Sequence, residues 1–108
     1  MTEHPVPGDV DLPAALVELV QGALARHPEV EGALVFGSRA MGRAHGGSDV
    51  DVAIEGSLAP IQLARLRSDL DDLPVPWRVD IVVLDALEHA GLRAHIAQWG
   101  RRIWPVGG

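Results

Sequence analysis

Two runs in which polar and apolar residues alternate constrain the fold of this chain most strongly. The first is DVDVAIEG (49–56) and the second is WRVDIVVLD (77–85), and both have the period of two that is typical of β-strands. Between them, PIQLARLRSDLDDL (60–73) repeats leucine at spacings of three and four, which predicts an amphipathic helix. A strand, a helix and another strand in succession require a sheet with at least one covered face.

The remaining patterns extend this order in both directions along the chain. They predict a helix over 12–27, a strand over 31–38, one or two helical turns over 38–44, a helix over 86–99 and a short strand over 101–106. The first helix has Asp11 as a candidate N-cap and Pro13 in its first turn. The predicted fold class is therefore α/β (α+β), with a small mixed sheet of three to four strands flanked by helices.

The length of 108 residues is that of one small domain with a single core. Its 47% hydrophobic and 22% charged residues are ordinary for a globular protein. Residues 1–11 contain two Pro and a Gly and show little pattern, which predicts a flexible N-terminal arm. We expect 12–108 to form one domain, with no room for a separate substrate-binding domain.

Charge and composition exclude several classes of function. The net charge is −6, and all nine basic residues are Arg, so stable binding to a nucleic-acid backbone is not expected. The absence of Cys removes thiolate nucleophiles and Cys-based zinc sites. No apolar run approaches the roughly 18–20 residues of a membrane span, and the N-terminus does not resemble a signal peptide. A cytoplasmic protein without membrane contact is expected.

Asp49 and Asp51 begin the first alternating run and share one face of the predicted strand. Residues i and i+2 of a strand lie about 6.5–7 Å apart, so their carboxylates can converge on one ion. Two like charges held together are unfavourable unless one is protonated or a cation joins them. Mg²⁺, or Mn²⁺ as an alternative, prefers such oxygen ligands. Asp80, the only acidic residue in RVDIVV, can add a third carboxylate if the two strands are neighbours.

Candidate phosphate-binding residues lie just upstream, in FGSRAMG (36–42). Gly37 allows a phosphate to approach the backbone, and free N–H groups at a helix start attract anions. Ser38 adds a hydroxyl donor and Arg39 a permanent positive charge. Ser48, directly before the aspartate pair, is a further nucleotide-binding candidate.

Each of these residues also has a structural interpretation. Asp49 follows GGS and suits a turn or cap. Asp80 suits an ion pair with Arg78 or Arg39. Ser38 can cap the short helix, a role that is compatible with binding a phosphate.

Other polar and aromatic residues are assigned to structural positions. His89 and His95 are six residues apart, which places them on different helix faces. Asp69 belongs with Asp71 and Asp72 to a run that predicts a solvated helix end. The tryptophans are assigned to the core or to subunit contacts: Trp77, Trp99 and Trp104.

The pattern Gly-Ser, ten residues, Asp-x-Asp and a later strand Asp resembles the DNA polymerase β-like nucleotidyltransferase superfamily. Within it, the chain is most similar to the minimal nucleotidyltransferase (MNT) proteins, the antitoxins of HEPN/MNT toxin–antitoxin pairs. The resemblance covers GSRAMGRAHGGSDVDVAI and RVDIVVLD, together with the leading helix and the closing GRRIWP.

This resemblance implies a role for each matching residue. Gly37 and Ser38 would hold the nucleotide phosphates, Asp49 and Asp51 would ligate Mg²⁺, and Asp80 would help to deprotonate the acceptor hydroxyl. The implied reaction transfers AMP from ATP to a tyrosine of a partner HEPN ribonuclease, with which the chain would form a hetero-oligomer. Two alternatives remain at this point: transfer to a small molecule, as in aminoglycoside-type relatives, and a non-catalytic antitoxin that masks the toxin by binding.

Overall fold

The computed structural model describes residues 14–37 and 49–105 of the chain. The elements are α1 (Ala14–Ala25), β1 (Gly32–Phe36), β2 (Val50–Glu55), α2 (Pro60–Asp71), β3 (Val79–Val83), a 3₁₀ turn (Leu84–Ala86), α3 (Ala90–Trp99) and β4 (Arg101–Trp104). The predicted N-terminal arm, the caps at Asp11 and Pro13, and the helical turns over 38–44 lie outside the described residues.

The four strands form one mixed sheet in the order β3-β2-β1-β4. β1 is antiparallel to both β2 and β4, whereas β2 and β3 are parallel. A parallel pair needs a crossover between its strands, and α2 supplies it here. The predicted class, a small mixed sheet flanked by helices, is confirmed.

Helices cover both faces of this sheet. The larger core cluster joins α1 and α2 to one face, where Val50, Val52 and Ile54 of β2 are buried. The smaller cluster joins Ile96 of α3 to Phe36 and Ala53 on the opposite face. The alternation of β2 therefore directs its valines and isoleucine towards α1 and α2, and its odd-numbered residues, including Asp51, towards α3.

Two of the predicted helices differ from the structure in detail. In α2, Leu66 and Leu70 are buried as the leucine spacing predicts, whereas Ile61 of the same helix is 58% exposed. The helix predicted to start at position 86 starts at Ala90, because the 3₁₀ turn precedes it and the Nδ1 of His89 accepts a hydrogen bond from the Leu92 amide at 2.9 Å. Of the α3 residues, Ile96 alone is buried.

Asp69 is not simply part of a solvated helix end. Its Oδ2 lies 2.6 Å from the Nε2 of His27, a buried side chain in the segment that follows α1. The other ring nitrogen of His27 lies 3.3 Å from Oε2 of Glu29. The imidazole is thus held between two carboxylates and links the end of α1 to α2.

No α-helix of the described ranges has both the length and the apolar character that crossing a membrane requires.

Candidate active site

Asp51 lies at the centre of the candidate site because β2 is an inner strand. It is in register with Phe36 of β1 on one side and with Asp80 of β3 on the other. In-register residues of neighbouring strands project from the same face, at a strand spacing of about 4.8 Å. The sheet therefore places Asp51 and Asp80 side by side on the face that α3 covers, at the end of the sheet where the last residue of β1 lies.

Asp49 directly precedes β2 and completes the predicted set of carboxylates. Burial raises the pKa of Asp51 most, and the negative charges of Asp80 and Asp49 raise it further, while His95 acts in the opposite direction. Asp51 is therefore close enough to both of the other predicted aspartates for their charges to disfavour its ionised form.

The side chain of Asp80 is engaged with Arg78, as the structural interpretation of the sequence allowed. The Nε of Arg78 lies 3.1 Å from Oδ1 of Asp80, and the two side chains are 74% and 47% exposed. An exposed ion pair of this kind contributes only about 0.2–1 kcal/mol, so a competing ligand can displace it at small cost.

The donor set fits a hard divalent cation in its chemistry. Carboxylate oxygens are the ligands that Mg²⁺ prefers, and the mutual repulsion at Asp51 is what a cation would relieve. As the side chains stand, residues 14–37 and 49–105 contain no group of three or more His, Cys, Asp or Glu that could hold a metal ion. Metal ligation by Asp49, Asp51 and Asp80 therefore stays a prediction.

Gly37 follows β1 and lies against the carboxylate of Asp51. Its φ is +78°, in the left-handed region that favours glycine. A Cβ added at this position would be 2.6 Å from Oδ2 of Asp51, closer than a carbon and an oxygen can approach. From the sequence, glycine was predicted here because a phosphate must approach the backbone closely. In the structure, the carboxylate of Asp51 is a second reason, because it leaves no space for a side chain at this position.

The other predicted nucleotide-binding residues, Ser38, Arg39 and Ser48, lie outside the described residues, so their role in nucleotide binding stays a prediction.

His95 is a residue of the site that sequence reasoning missed. Its Nε2 accepts a hydrogen bond from the Gly37 amide at 3.1 Å. Its ring meets the ring of Phe36 edge to face, with centroids 6.2 Å apart and an interplanar angle of 76°. The sequence carries no local signal for this contact, since nothing in α3 shows that it lies over the end of β1.

An open cavity of about 440 Å³ lies elsewhere, and no candidate site residue lines it. Its lining combines β-sheet, 3₁₀ and α3 residues: Leu34, Glu55, Leu84, Arg93, Ala94, Ile96 and Ala97. The guanidinium of Arg93 donates to the carbonyl oxygens of Leu84 and Leu87, which fixes the 3₁₀ turn against α3. The cavity is distinct from the aspartate cluster.

Solved structures with the same fold include several toxin–antitoxin complexes. A chain of a toxin–antitoxin crystal structure with AMP-PNP has 24% sequence identity and a TM-score of 0.68, over 82% of this chain and 72% of that chain. A chain of the MntA–HepT toxin–antitoxin has 21% identity and a TM-score of 0.57, over 85% and 72%. A chain from tri-AMPylated Shewanella oneidensis HEPN toxin in complex with MNT antitoxin has 21% identity and a TM-score of 0.50, over 82% and 71%.

At these identities the likeness shows a shared fold. No curated protein sequence gives a significant match. The family described as "Polymerase beta, Nucleotidyltransferase" matches residues 18–105, which include both strands that carry the aspartates. The chain therefore belongs to the polymerase β nucleotidyltransferase family.

Proposed function

We propose that this chain is a metal-dependent nucleotidyltransferase that transfers AMP from ATP to a tyrosine hydroxyl of a HEPN toxin and so acts as its antitoxin. The observation that carries the proposal is the in-register pair of Asp51 and Asp80 beside Gly37, in a chain of the nucleotidyltransferase family. The proposed reaction uses cytoplasmic ATP, and we place the protein there.

The structural neighbours support both the nucleotide and the partner. One neighbouring complex holds AMP-PNP, and another contains a HEPN toxin that carries three AMP groups beside an MNT antitoxin. A donor of adenylate and a protein acceptor are therefore both compatible with this fold.

The residues of the chain suggest how the transfer would proceed. The segment that starts at Gly37 would hold the phosphates, and Asp49, Asp51 and Asp80 would hold Mg²⁺ or Mn²⁺. The metal ion, when bound, neutralises charge on the triphosphate. The acceptor oxygen forms a bond to the α-phosphorus, the bond from that phosphorus to the bridging oxygen of pyrophosphate breaks, and Asp80 takes the proton of the hydroxyl. Asp80 is 47% exposed, so an acceptor from another molecule can reach it.

The described fold has a single sheet and three α-helices, and residues 14–37 and 49–105 form no second domain that could bind an acceptor. The toxin–antitoxin complexes among the structural neighbours favour an acceptor on a partner protein over a small molecule.

Labelled ATP tests the proposal directly. The chain and the HEPN toxin that is its partner are incubated with Mg²⁺ and ATP labelled at the α-phosphate, and the toxin is examined for label and for a mass increase of one or more AMP groups. We expect label on the toxin with the wild-type chain and none with D49A/D51A or with EDTA. The matched control, D71A/D72A, removes two exposed acidic residues at the end of α2 and should label the toxin normally.

Two outcomes would contradict the proposal. If D49A/D51A neutralises the toxin as fully as the wild type without labelling it, the chain acts by binding alone. If the label appears on a small molecule and never on the toxin, the acceptor is not a protein.

A further inference from the structure

The backbone amide of Gly37 is already engaged by a side chain. It donates to Nε2 of His95 at 3.1 Å, across a separation of 58 residues in sequence. An amide N–H has one proton to donate, and in this arrangement His95 receives it. Gly37 also contributes through its conformation and through the space that its missing side chain leaves for Asp51.

The imidazole of His95 is fixed from two sides. Ile96, its neighbour in α3, is 3% exposed and anchors the helix on Phe36 and Ala53. The ring edge contact with Phe36 sets the plane of the imidazole, so that Nε2 faces the Gly37 amide. α3 thus holds the residue at which the chain leaves β1.

The position of Gly37 matters because Asp51 is packed against it. Only 2.6 Å separates Oδ2 of Asp51 from the place where a Cβ on Gly37 would be. A shift of Gly37 would move the start of the phosphate-binding segment relative to this carboxylate. Displacements of about 1 Å within a reacting site can cost a factor of about 100 in rate.

We propose that His95 is a positioning residue, which holds the Gly37 amide and so fixes the start of the nucleotide-binding segment against Asp51. This inference rests on the proposed function, because it assumes that the segment after Gly37 receives the triphosphate. The contact is made to the backbone, so any acceptor atom that reaches the same point can replace the imidazole.

Side-chain reach provides the test. Gln places its carbonyl oxygen near the position of Nε2 in His, whereas Asn is shorter by one carbon and Leu has no acceptor. We expect the dissociation constant for Mg²⁺–AMP-PNP, measured by titration calorimetry on the full chain, to rise about tenfold in H95N and H95L, the factor expected for one unpaired hydrogen-bonding group. In H95Q it should stay within about threefold of the wild type.

Calorimetry separates this effect from a loss of folded protein. A smaller folded fraction lowers the apparent stoichiometry and leaves the dissociation constant of the folded fraction unchanged, whereas a misplaced segment changes the constant. H89L is the matched control: it also replaces a histidine and removes a backbone hydrogen bond of α3, the one from Leu92, but away from Gly37. We expect its dissociation constant to stay within about twofold of the wild type.

The outcomes distinguish the two proposals. If the wild type binds Mg²⁺–AMP-PNP and H95N binds it equally well, or if H95Q binds as weakly as H95N, the role of His95 is overturned and the proposed function stands. Equal weakening in H89L would also overturn it, since the effect would then belong to α3 in general. If the wild type itself does not bind the nucleotide at millimolar concentration, both proposals are overturned.

Discussion

Asp51 is held in surroundings that disfavour its charged form. It is partly buried, it has Asp80 as its neighbour in β3, and Asp49 lies two residues before it. The carboxylate thus destabilises the fold when it is ionised, and the cation that we propose for this site would relieve that cost.

We expect Asp51→Asn to raise the melting temperature of the protein in EDTA at pH 7. Burial and the charges of Asp80 and Asp49 raise the pKa of Asp51, so the folded state binds more protons than the unfolded state and stability falls as pH rises through this range. The gain in Asp51→Asn should be complete above the raised pKa and should disappear below the unfolded-state value of about 3.9. Thermal melts between pH 3.5 and 8 measure it.

Asp71→Asn is the control, because Asp71 is exposed on α2. It should leave the pH dependence of the melting temperature as it is in the wild type. A lower melting temperature for Asp51→Asn at pH 7 would contradict the prediction.

Gly37 gives a second prediction at the scale of one residue. Gly37→Ala must adopt φ near +78° and place a Cβ against Oδ2 of Asp51, so we expect a loss of at least about 1–2 kcal/mol in the free energy of unfolding. Gly22→Ala provides the opposite case, since a Cβ there meets nothing within 4 Å in the interior of α1. It should stabilise the protein by about 0.5–1 kcal/mol. Urea denaturation of both variants measures the two changes in the free energy of unfolding, and equal changes would contradict the prediction.

Local patterns predict the carboxylates of the site and miss its partners. The period of two placed Asp49 and Asp51 on one face, and one charge within an apolar strand singled out Asp80. His95 is different, because its contact with Gly37 depends on how α3 packs across the sheet, and no short-range pattern records that. The same limit explains why Asp69 was assigned to solvent although it contacts His27.

At the scale of elements, the strands and the start of α2 were predicted closely, whereas the start of α3 was not. Alternation located β2 and β3 to within two residues at each end, since their polar residues mark the boundaries. The start of α3 was placed four residues too early because His89 is an uncommon N-cap and a 3₁₀ turn, Leu84–Ala86, precedes it. Strand order was not predicted, since it depends on contacts between distant segments.

The pairing of His27 with Asp69 predicts how α1 and α2 are held together. Asp69→Ala leaves a buried imidazole nitrogen without its partner, and we expect a loss of about 1–3 kcal/mol in the free energy of unfolding. Asp71→Ala, an exposed substitution in the same helix, should change it by no more than about 0.5 kcal/mol. Denaturant titration of both variants at neutral pH measures the difference. A loss no larger for Asp69→Ala than for Asp71→Ala would show that the contact contributes little.

For the whole molecule, nucleotide binding should appear as thermal stabilisation. A ligand that binds only the folded state at about 100 times its dissociation constant adds about 2.7 kcal/mol, which corresponds to roughly 10–20 °C for a domain of this size. We expect Mg²⁺–ATP to raise the melting temperature of the wild type and to have no such effect in EDTA. A rise of equal size in D49A/D51A would contradict the assignment of the site.

The parallel pairing of β2 with β3 also bears on the order of events during folding. Asp80 can reach Asp51 only after α2 has closed the crossover, because that helix separates the two strands in sequence. Pairing between segments distant in sequence is slow, since the chain loses entropy before the contacts form. The acidic charges of the site should therefore converge late in refolding. Divalent cations bound at this site as proposed should therefore slow unfolding more than they speed refolding, and a chelator should reverse the effect.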